Sequence, residues 1–416
     1  MDGMGALVHD GGVAFRVWAP HADEVHVVGD FNEWNETATP LASEGNGNWY
    51  ADVAGAQAGQ EYKYLIRNGD SAFHRIDPQV RQVTNSVGNG VIYDPNAFDW
   101  QGDDFSISNH NELVIYELHI GSFAPSGDGG VGTLGDAASR LDHLEQLGIN
   151  VVQIMPVAEF AGDMSWGYNP AHVFAVESAY GGPDAFKDFV RQAHARGMAV
   201  VLDVVYNHFG PSDLDLWQFD GWSEDGKGGI YFYNDWRSET PWGDTRPDYG
   251  RGEVRQFIHD NALMWLREYH LDGLRYDMTP YIRSVRADGE DLPEGWSLLH
   301  WVNSSIREQF PGKILIAEDM HRDPRITQTD DDGAAFHAQW DSSFVHPVRE
   351  AVITPDDASR SMQDVVRAVT MRYNDNAFHR VVYTESHDEV ANGKARVPQE
   401  IDPGDPAGWA AQKRST

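Results

Sequence analysis

The chain has 416 residues, enough for two or three domains with ordinary cores. Its formal net charge is −34, with six lysines against 25 arginines, which disfavours nucleic acid and anionic membranes as partners and suits a neutral ligand. There are no cysteines, so disulfides and thiolate metal sites are excluded, and no apolar run approaches the roughly 18 residues of a membrane span. Residues 1–10 lack the basic and apolar pattern of a signal peptide, so the expectation is a soluble cytoplasmic protein.

Residues 1–105 read as β-rich. Val13–Trp18, Glu24–Val28 and Tyr62–Ile66 alternate as strands, separated by turn residues at Gly29-Asp30, 45–48 and Asn68-Gly69-Asp70. Several short strands in about 100 residues predict an all-β, immunoglobulin-like sandwich. The polar stretch 94–110 is expected to link it to a second domain, residues 106–416.

From Asn111 the rhythm changes. Leu113–Leu118 is a buried-type strand, 134–147 a helix closed by Gly148, and Asn150–Met155 a second strand. A helix over 186–196 ends at Gly197, and Met198–Leu202 is a third strand. A helix over 254–270 precedes strands at Gly273–Tyr276 and Lys313–Ala317, and another strand falls at 380–383. Near-continuous apolar strands alternating with helices predict a parallel sheet covered by helices. The strands run into Asp203, Asp277, Glu318 and His387-Asp388. In a (β/α)8 TIM barrel such strand ends converge on one face, where the active site lies. No Gly-rich phosphate loop follows the first strand, as a dinucleotide-binding sheet would require.

Packing several carboxylates on one face costs electrostatic free energy, so a functional reason is expected. A pair of them suits glycoside hydrolysis with retention when about 5–5.5 Å apart, one as nucleophile and one as proton donor. Asp277 and Glu318, on neighbouring strands, fit these two roles. Arg275 points to the same side as Asp277, and a cation there favours a carboxylate nucleophile. Glu318 follows the apolar pair Ile316-Ala317, and burial would raise its pKa as a general acid needs. A structural Arg275–Asp277 ion pair is the plainer alternative. Fourteen Trp and sixteen Tyr offer flat faces that either stack on sugar rings or fill the core.

Four blocks resemble glycoside hydrolase family 13, the α-amylase superfamily, in order and spacing: Asp203–His208, Asp272–Asp277, Ile316–Asp319 and Ser386–Glu389. The resemblance implies that Asp277 is the nucleophile, Glu318 the acid/base and Asp388 the third carboxylate. It implies further that His208, Arg275 and His387 surround the sugar at the cleavage site, that Asp203 braces this site, and that Tyr168, in the Trp166–Pro170 segment, stacks on the same sugar. The first 100 residues resemble a family 48 carbohydrate-binding module, carried by Phe15–Pro20 and Gly29–Asn35, with Trp18 and Trp34 expected to be structural.

Within the family, Ser386–Val390 with Gly393-Lys394 resembles 1,4-α-glucan branching enzymes, whereas Glu318-Asp319, Asp323–Arg325 and Ala338–Trp340 resemble maltooligosyltrehalose trehalohydrolases. The expectation is a branching enzyme acting on an α-glucan or maltooligosaccharide, with no cofactor and no metal. Trehalohydrolase or α-amylase-type hydrolysis is the alternative, and a glucan-binding protein with a defunct barrel is the non-enzymatic one. Asp330-Asp331-Asp332 is expected to be an acidic solvated loop. Only 28 residues follow Asp388. At about 31 residues per βα unit the last strand and the family's C-terminal β-domain are expected to be missing, with a helix starting near Asp405-Pro406 and poor activity for this chain alone.

Overall fold

The computed structural model describes residues 3–125 and 129–415. Residues 5–91 form two antiparallel sheets. One orders Gly5–His9, Gly12–Trp18, Asn48–Ala54 and Ala42–Gly45. The other orders Glu24–Gly29, Glu61–Asn68, Gly90–Val91 and Gln82–Val83, with Ser71–Arg75 also paired to Glu61–Asn68. Alternate residues such as Phe15, Val17, Val25, Val27, Tyr62, Tyr64 and Ile66 face inward and are fully buried. The predicted sandwich is therefore present, with six strands beyond the three legible in the sequence. Trp18 is buried edge-on against Tyr231, 5.6 Å between ring centroids, and Trp34 donates from Nε1 to Asp30 at 3.0 Å.

Seven parallel strands follow, hydrogen-bonded in sequence order: β1 (Ile115–Leu118), β2 (Val151–Ile154), β3 (Ala199–Val204), β4 (Gly273–Tyr276), β5 (Ile314–Ala317), β6 (Ala338–Trp340) and β7 (Arg380–Val381). This is the partial barrel the βα rhythm predicts. Both faces are covered, which is why the strands read as unbroken apolar runs. The outward set, Val152, Ile154, Val200, Leu202, Leu274, Leu315 and Ala317, packs under the helices in a core continuous with that of the sandwich. The inward set, Val151, Ala199, Val201, Ile314, Ile316 and Trp340, forms a separate interior cluster. Period-two alternation thus splits each strand between two cores.

Several elements differ from expectation. The helix expected over 134–147 is two, Leu134–Ala138 and Leu141–Gln146. Thr133 and Asp136 cap the first reciprocally. Ser139 Oγ then takes the Asp136 carbonyl at 2.6 Å while the Arg140 N–H turns to Ala137, and the α ladder stops. Gly148 (φ +79) and Gly197 (φ +74) adopt the left-handed conformation that closes their helices, as expected. β3 runs two residues beyond its predicted end, so Asp203 lies inside the ladder, opposite Arg275. β6 was not foreseen as a strand, β7 is two residues rather than four, and the last helix begins at Trp409 rather than near Asp405. Asp330–Asp332 is exposed, as expected, and among the described residues no group of three or more His, Asp or Glu side chains could hold a metal ion.

The stretch 94–110 is polar in composition but firmly docked. Trp100 stacks on His270 at 3.7 Å, and Asp103 meets His194 Nδ1 at 2.9 Å and His270 Nδ1 at 3.1 Å. Phe105, stacked on His194, packs with Ile107 against the interior cluster at the end of the sheet where the strands begin. His194 closes the helix Gly182–His194, and its Nε2 reaches Asp272 at 2.8 Å. Burial alone would pull His194 down, but Asp272 and Asp103 turn the net shift upward, the direction that suits an imidazole at a helix C-terminus.

The sandwich also holds the long segment that follows β3. Arg75 donates to the Phe219 and Gln218 carbonyls at 3.0 and 2.9 Å, the Ile76 N–H donates to Asp215 at 2.6 Å, and the His21 N–H donates to Asp220 at 2.9 Å. No helix is long and apolar enough to cross a membrane among the described residues.

Candidate active site

Parallel register sets the geometry. Asp203 pairs with Arg275, Arg275 with Ile316, and Tyr276 with Ala317, so Asp277 and Glu318 follow at matching positions beyond β4 and β5. The Asp277 N–H continues the ladder to the Val204 carbonyl (2.9 Å) and the Glu318 N–H to the Tyr276 carbonyl (3.0 Å), which fixes both backbones.

Arg275 is the hub. It is wholly buried, and its Nη1 donates to both oxygens of Asp203 at 2.7 Å and to Asp277 Oδ1 at 3.1 Å. Nη2 lies 3.0 Å from Glu318 Oε2, in ion-pair range but without the alignment of a hydrogen bond. One guanidinium therefore touches three carboxylates, and its flat face lies over Trp340 at 4.3 Å. Burial opposes its charge, but Asp203 and Glu318 raise its pKa further than burial lowers it.

The carboxylates differ in their surroundings. Asp277 Oδ2 accepts from Asn207 Nδ2 at 2.7 Å, so each of its oxygens has a partner. Glu318 accepts one backbone bond, from the Met278 N–H at 2.9 Å. Burial pushes its carboxyl up to about 8, with Arg275 opposing and Asp277 adding to the rise. Asp203 rises to about 7 for the same first reason, against Arg275. Its Oδ2 also accepts from the Tyr168 hydroxyl at 2.7 Å, which holds the Tyr168 ring in place.

His387 stacks on Tyr168 with 5.1 Å between centroids. Its backbone N–H and Nδ1 both meet Glu117, at 2.7 and 2.9 Å. Burial disfavours the imidazolium, but the hydrogen bond and charge of Glu117 carry the net shift of His387 upward. His208 has the opposite character. It stacks on Trp242 at 4.6 Å, its Nε2 faces the Tyr168 carbonyl at 2.9 Å, and burial draws its pKa down to about 4. It is a neutral ring between an aromatic wall and the backbone.

Seven of the eight residues singled out in the sequence thus form one connected network: Tyr168, Asp203, His208, Arg275, Asp277, Glu318 and His387. Asp388, the second residue of the single turn His387–Val390, joins this network through His387, 3.5 Å from its Nε2, with its side chain half exposed. The structure adds Glu117, Asn207, Trp340 and Trp242, which the site assignment missed. Glu117, near the end of β1, matches the strand-end acidic pattern that picked out the others.

Known proteins show the same plan. The family profile of carbohydrate-binding module 48, the isoamylase N-terminal domain, matches residues 3–80, and that of the alpha amylase catalytic domain matches residues 117–217. A putative alpha amylase from Salmonella typhimurium superposes with a TM-score of 0.73 at 30% identity, covering 89% of this chain and 60% of that one. A 1,4-alpha-glucan branching enzyme from Corynebacterium jeikeium is 32% identical over 99% of this chain and 59% of its own length. Another, from Salinibacter ruber, is 32% identical over 99% of this chain and 69% of its own length. The chain belongs to the branching-enzyme family of the α-amylase superfamily. It spans little more than half the length of several branching enzymes that it matches.

In this member of the branching-enzyme family, Glu117 positions His387 from a strand 270 residues away. Glu117→Ala should free the imidazole, lower its pKa and weaken substrate capture. The expected result is a rise in KM of roughly tenfold or more, from the loss of a charge-assisted hydrogen bond, with kcat changed less. Steady-state kinetics and an NMR titration of His387 check both parts, and Glu117→Gln should fall between.

Proposed function

We propose that the protein is a retaining 1,4-α-glucan branching enzyme. The observation that carries this reading is the Arg275 cluster, which puts a buried, proton-retaining Glu318 and a doubly partnered Asp277 on adjacent strand ends of a branching-family chain. In the proposed reaction the Glu318 carboxyl gives its proton to the glycosidic oxygen while Asp277 Oδ attacks C1. The C1–O4 bond breaks, the freed chain leaves with that proton, and a glycosyl ester forms on Asp277. Glu318, now a carboxylate, takes the proton of an acceptor 6-hydroxyl, whose oxygen attacks C1 and releases Asp277. An α-1,4 link becomes an α-1,6 link and no water is consumed. Tyr168 and His387 offer one wall for the sugar at the cleavage point, and Trp340 supports Arg275 from below.

Incubation with amylose tests the reading. New α-1,6 links without new reducing ends are expected. Reducing ends alone would instead mean hydrolysis, and trehalose released from maltooligosyltrehalose would mean a trehalohydrolase.

The pH profile tests the acid. Glu318 must carry its proton to act first, and its folded pKa of about 8 keeps it protonated below that value. kcat/KM is therefore expected to fall tenfold per pH unit above about 8. A plateau extending to pH 10 would remove Glu318 from this role.

A further inference from the structure

Glu318 takes both of its donors on one oxygen. The Met278 N–H lies 2.9 Å from Oε2, and Arg275 Nη2 lies 3.0 Å from the same atom, in ion-pair range. The proton of a neutral Glu318 therefore belongs on Oε1, the oxygen left to meet a glycosidic oxygen. The Met278 donor comes from a strained stretch of backbone. Met278 adopts φ +37, a left-handed conformation that is costly for a residue with a side chain and persists where the surroundings impose it. On one side of it the Asp277 N–H is fixed to the Val204 carbonyl at 2.9 Å. On the other the Thr279 N–H donates to the Glu318 carbonyl at 3.0 Å.

Thr279 also opens a second buried polar cluster. Its hydroxyl lies 3.0 Å from both the Glu318 carbonyl and Asp319 Oδ2. That carbonyl already has the Thr279 N–H, and a carboxylate is the stronger acceptor, so the hydroxyl proton goes to Asp319. Arg283 closes the cluster, donating from Nε to Asp319 Oδ2 at 2.8 Å and from Nη2 to Oδ1 at 3.0 Å. Burial opposes the Arg283 charge, but the Asp319 bonds outweigh it, and the guanidinium lies over the Trp296 ring at 5.5 Å. Thr279 and Asp319 expose no surface and Arg283 almost none, so none of the three is placed to touch a sugar. Their positions in the chain give them another use. Thr279 lies two residues past Asp277, Arg283 ends the short helix Pro280–Arg283 that follows, and Asp319 is the residue after Glu318. The cluster thus ties the segment beyond β4 to the segment beyond β5, directly behind the two reacting carboxylates.

We propose that Thr279, Asp319 and Arg283 are positioning residues for the general acid, a clamp that holds the Met278 N–H on Glu318 Oε2 so that Oε1 presents the proton. The role given to Glu318 rests on the branching-enzyme reading. Thr279→Val tests the clamp with little risk to the fold, because it keeps the side chain's shape and Arg283 still satisfies both Asp319 oxygens. kcat/KM for transfer from amylose should fall about tenfold, the effect of one charge-assisted hydrogen bond. The first-turnover release of fluoride from a maltosyl fluoride, which needs no proton from Glu318, should change about twofold or less. Thr279→Ser, which restores the hydroxyl, should recover most of the amylose rate. If Thr279→Val slows both donors equally, its role is only structural and the clamp is refuted, while Glu318 keeps its assignment. An unchanged amylose rate refutes the clamp in the same way. If the parent protein transfers nothing from amylose, the branching-enzyme reading falls and the clamp with it.

Discussion

Replacing Asp277 with Asn is expected to cut turnover on amylose by a factor on the order of 10⁴ or more, while maltooligosaccharide binding persists. The substitution keeps the shape of the side chain and its place at the end of β4, but an amide oxygen cannot form the glycosyl ester. Asn207 and Arg275 already donate to the two Asp277 oxygens, so the new amide loses one favourable contact and the surrounding ladder should hold. A companion experiment separates nucleophile from acid. A maltosyl fluoride needs no proton to lose its leaving group, so it should restore glycosyl transfer from donor to enzyme in Glu318→Gln but not in Asp277→Asn. Turnover that survives in Asp277→Asn would move the nucleophile elsewhere.

The second large effect falls on stability. Arg275→Met removes the cation that meets Asp203, Asp277 and Glu318, each of them buried. Breaking a buried charge network from one side costs about 3–5 kcal/mol, because the partners remain in a poorly solvated place. For a chain of this size that is a fall in melting temperature of about 3–6 °C at pH 7. The pH dependence gives the sign check. Asp203 and Glu318 have pKa values raised to about 7 and about 8 in the fold. A carboxyl whose folded pKa lies above its unfolded value favours the fold at low pH, and that contribution is lost as pH rises from the unfolded value through the folded one. Without Arg275 both carboxyls hold their protons harder, so the deficit should shrink at pH 5 and widen at pH 8.5. Thermal melts at the three pH values measure it. A deficit independent of pH would mean that lost packing against Trp340, rather than charge, sets the cost. Arg275→Lys is expected to rescue little, since a single ammonium cannot span three carboxylates.

The parts of this molecule that were legible in the sequence are those that local pattern controls. Strands buried on both faces leave continuous apolar runs, and the acidic residues at the ends of β3, β4 and β5 mark the face on which the cluster forms. That is enough to find Asp203, Asp277 and Glu318, and Arg275 follows from period-two alternation. What stayed hidden depends on contacts between distant segments. Glu117 meets His387 across 270 residues, and only the closing curve of the sheet joins them. Trp340 sits on a three-residue strand too short to show a period, yet it lies directly against Arg275. The hairpin formed by Ala158–Phe160 and Pro170–Val176 interrupts the βα rhythm after β2 and was not foreseen. His387 joins the cluster through Glu117, and Asp388, half exposed, joins it through His387.

The docked stretch between the sandwich and the sheet has a consequence for how the molecule can be divided. Asp103 is gripped by two histidines of the second module, and Phe105 and Ile107 stopper its interior where the strands begin. A cut after residue 105, where the composition changes, would carry Asp103 and Phe105 away with the sandwich and leave only Ile107 on the second module. The sandwich core also runs unbroken into the helical layer around β2–β5. The energetic seam therefore does not coincide with the compositional one, and a calorimetric scan is expected to show the two modules melting in a single transition.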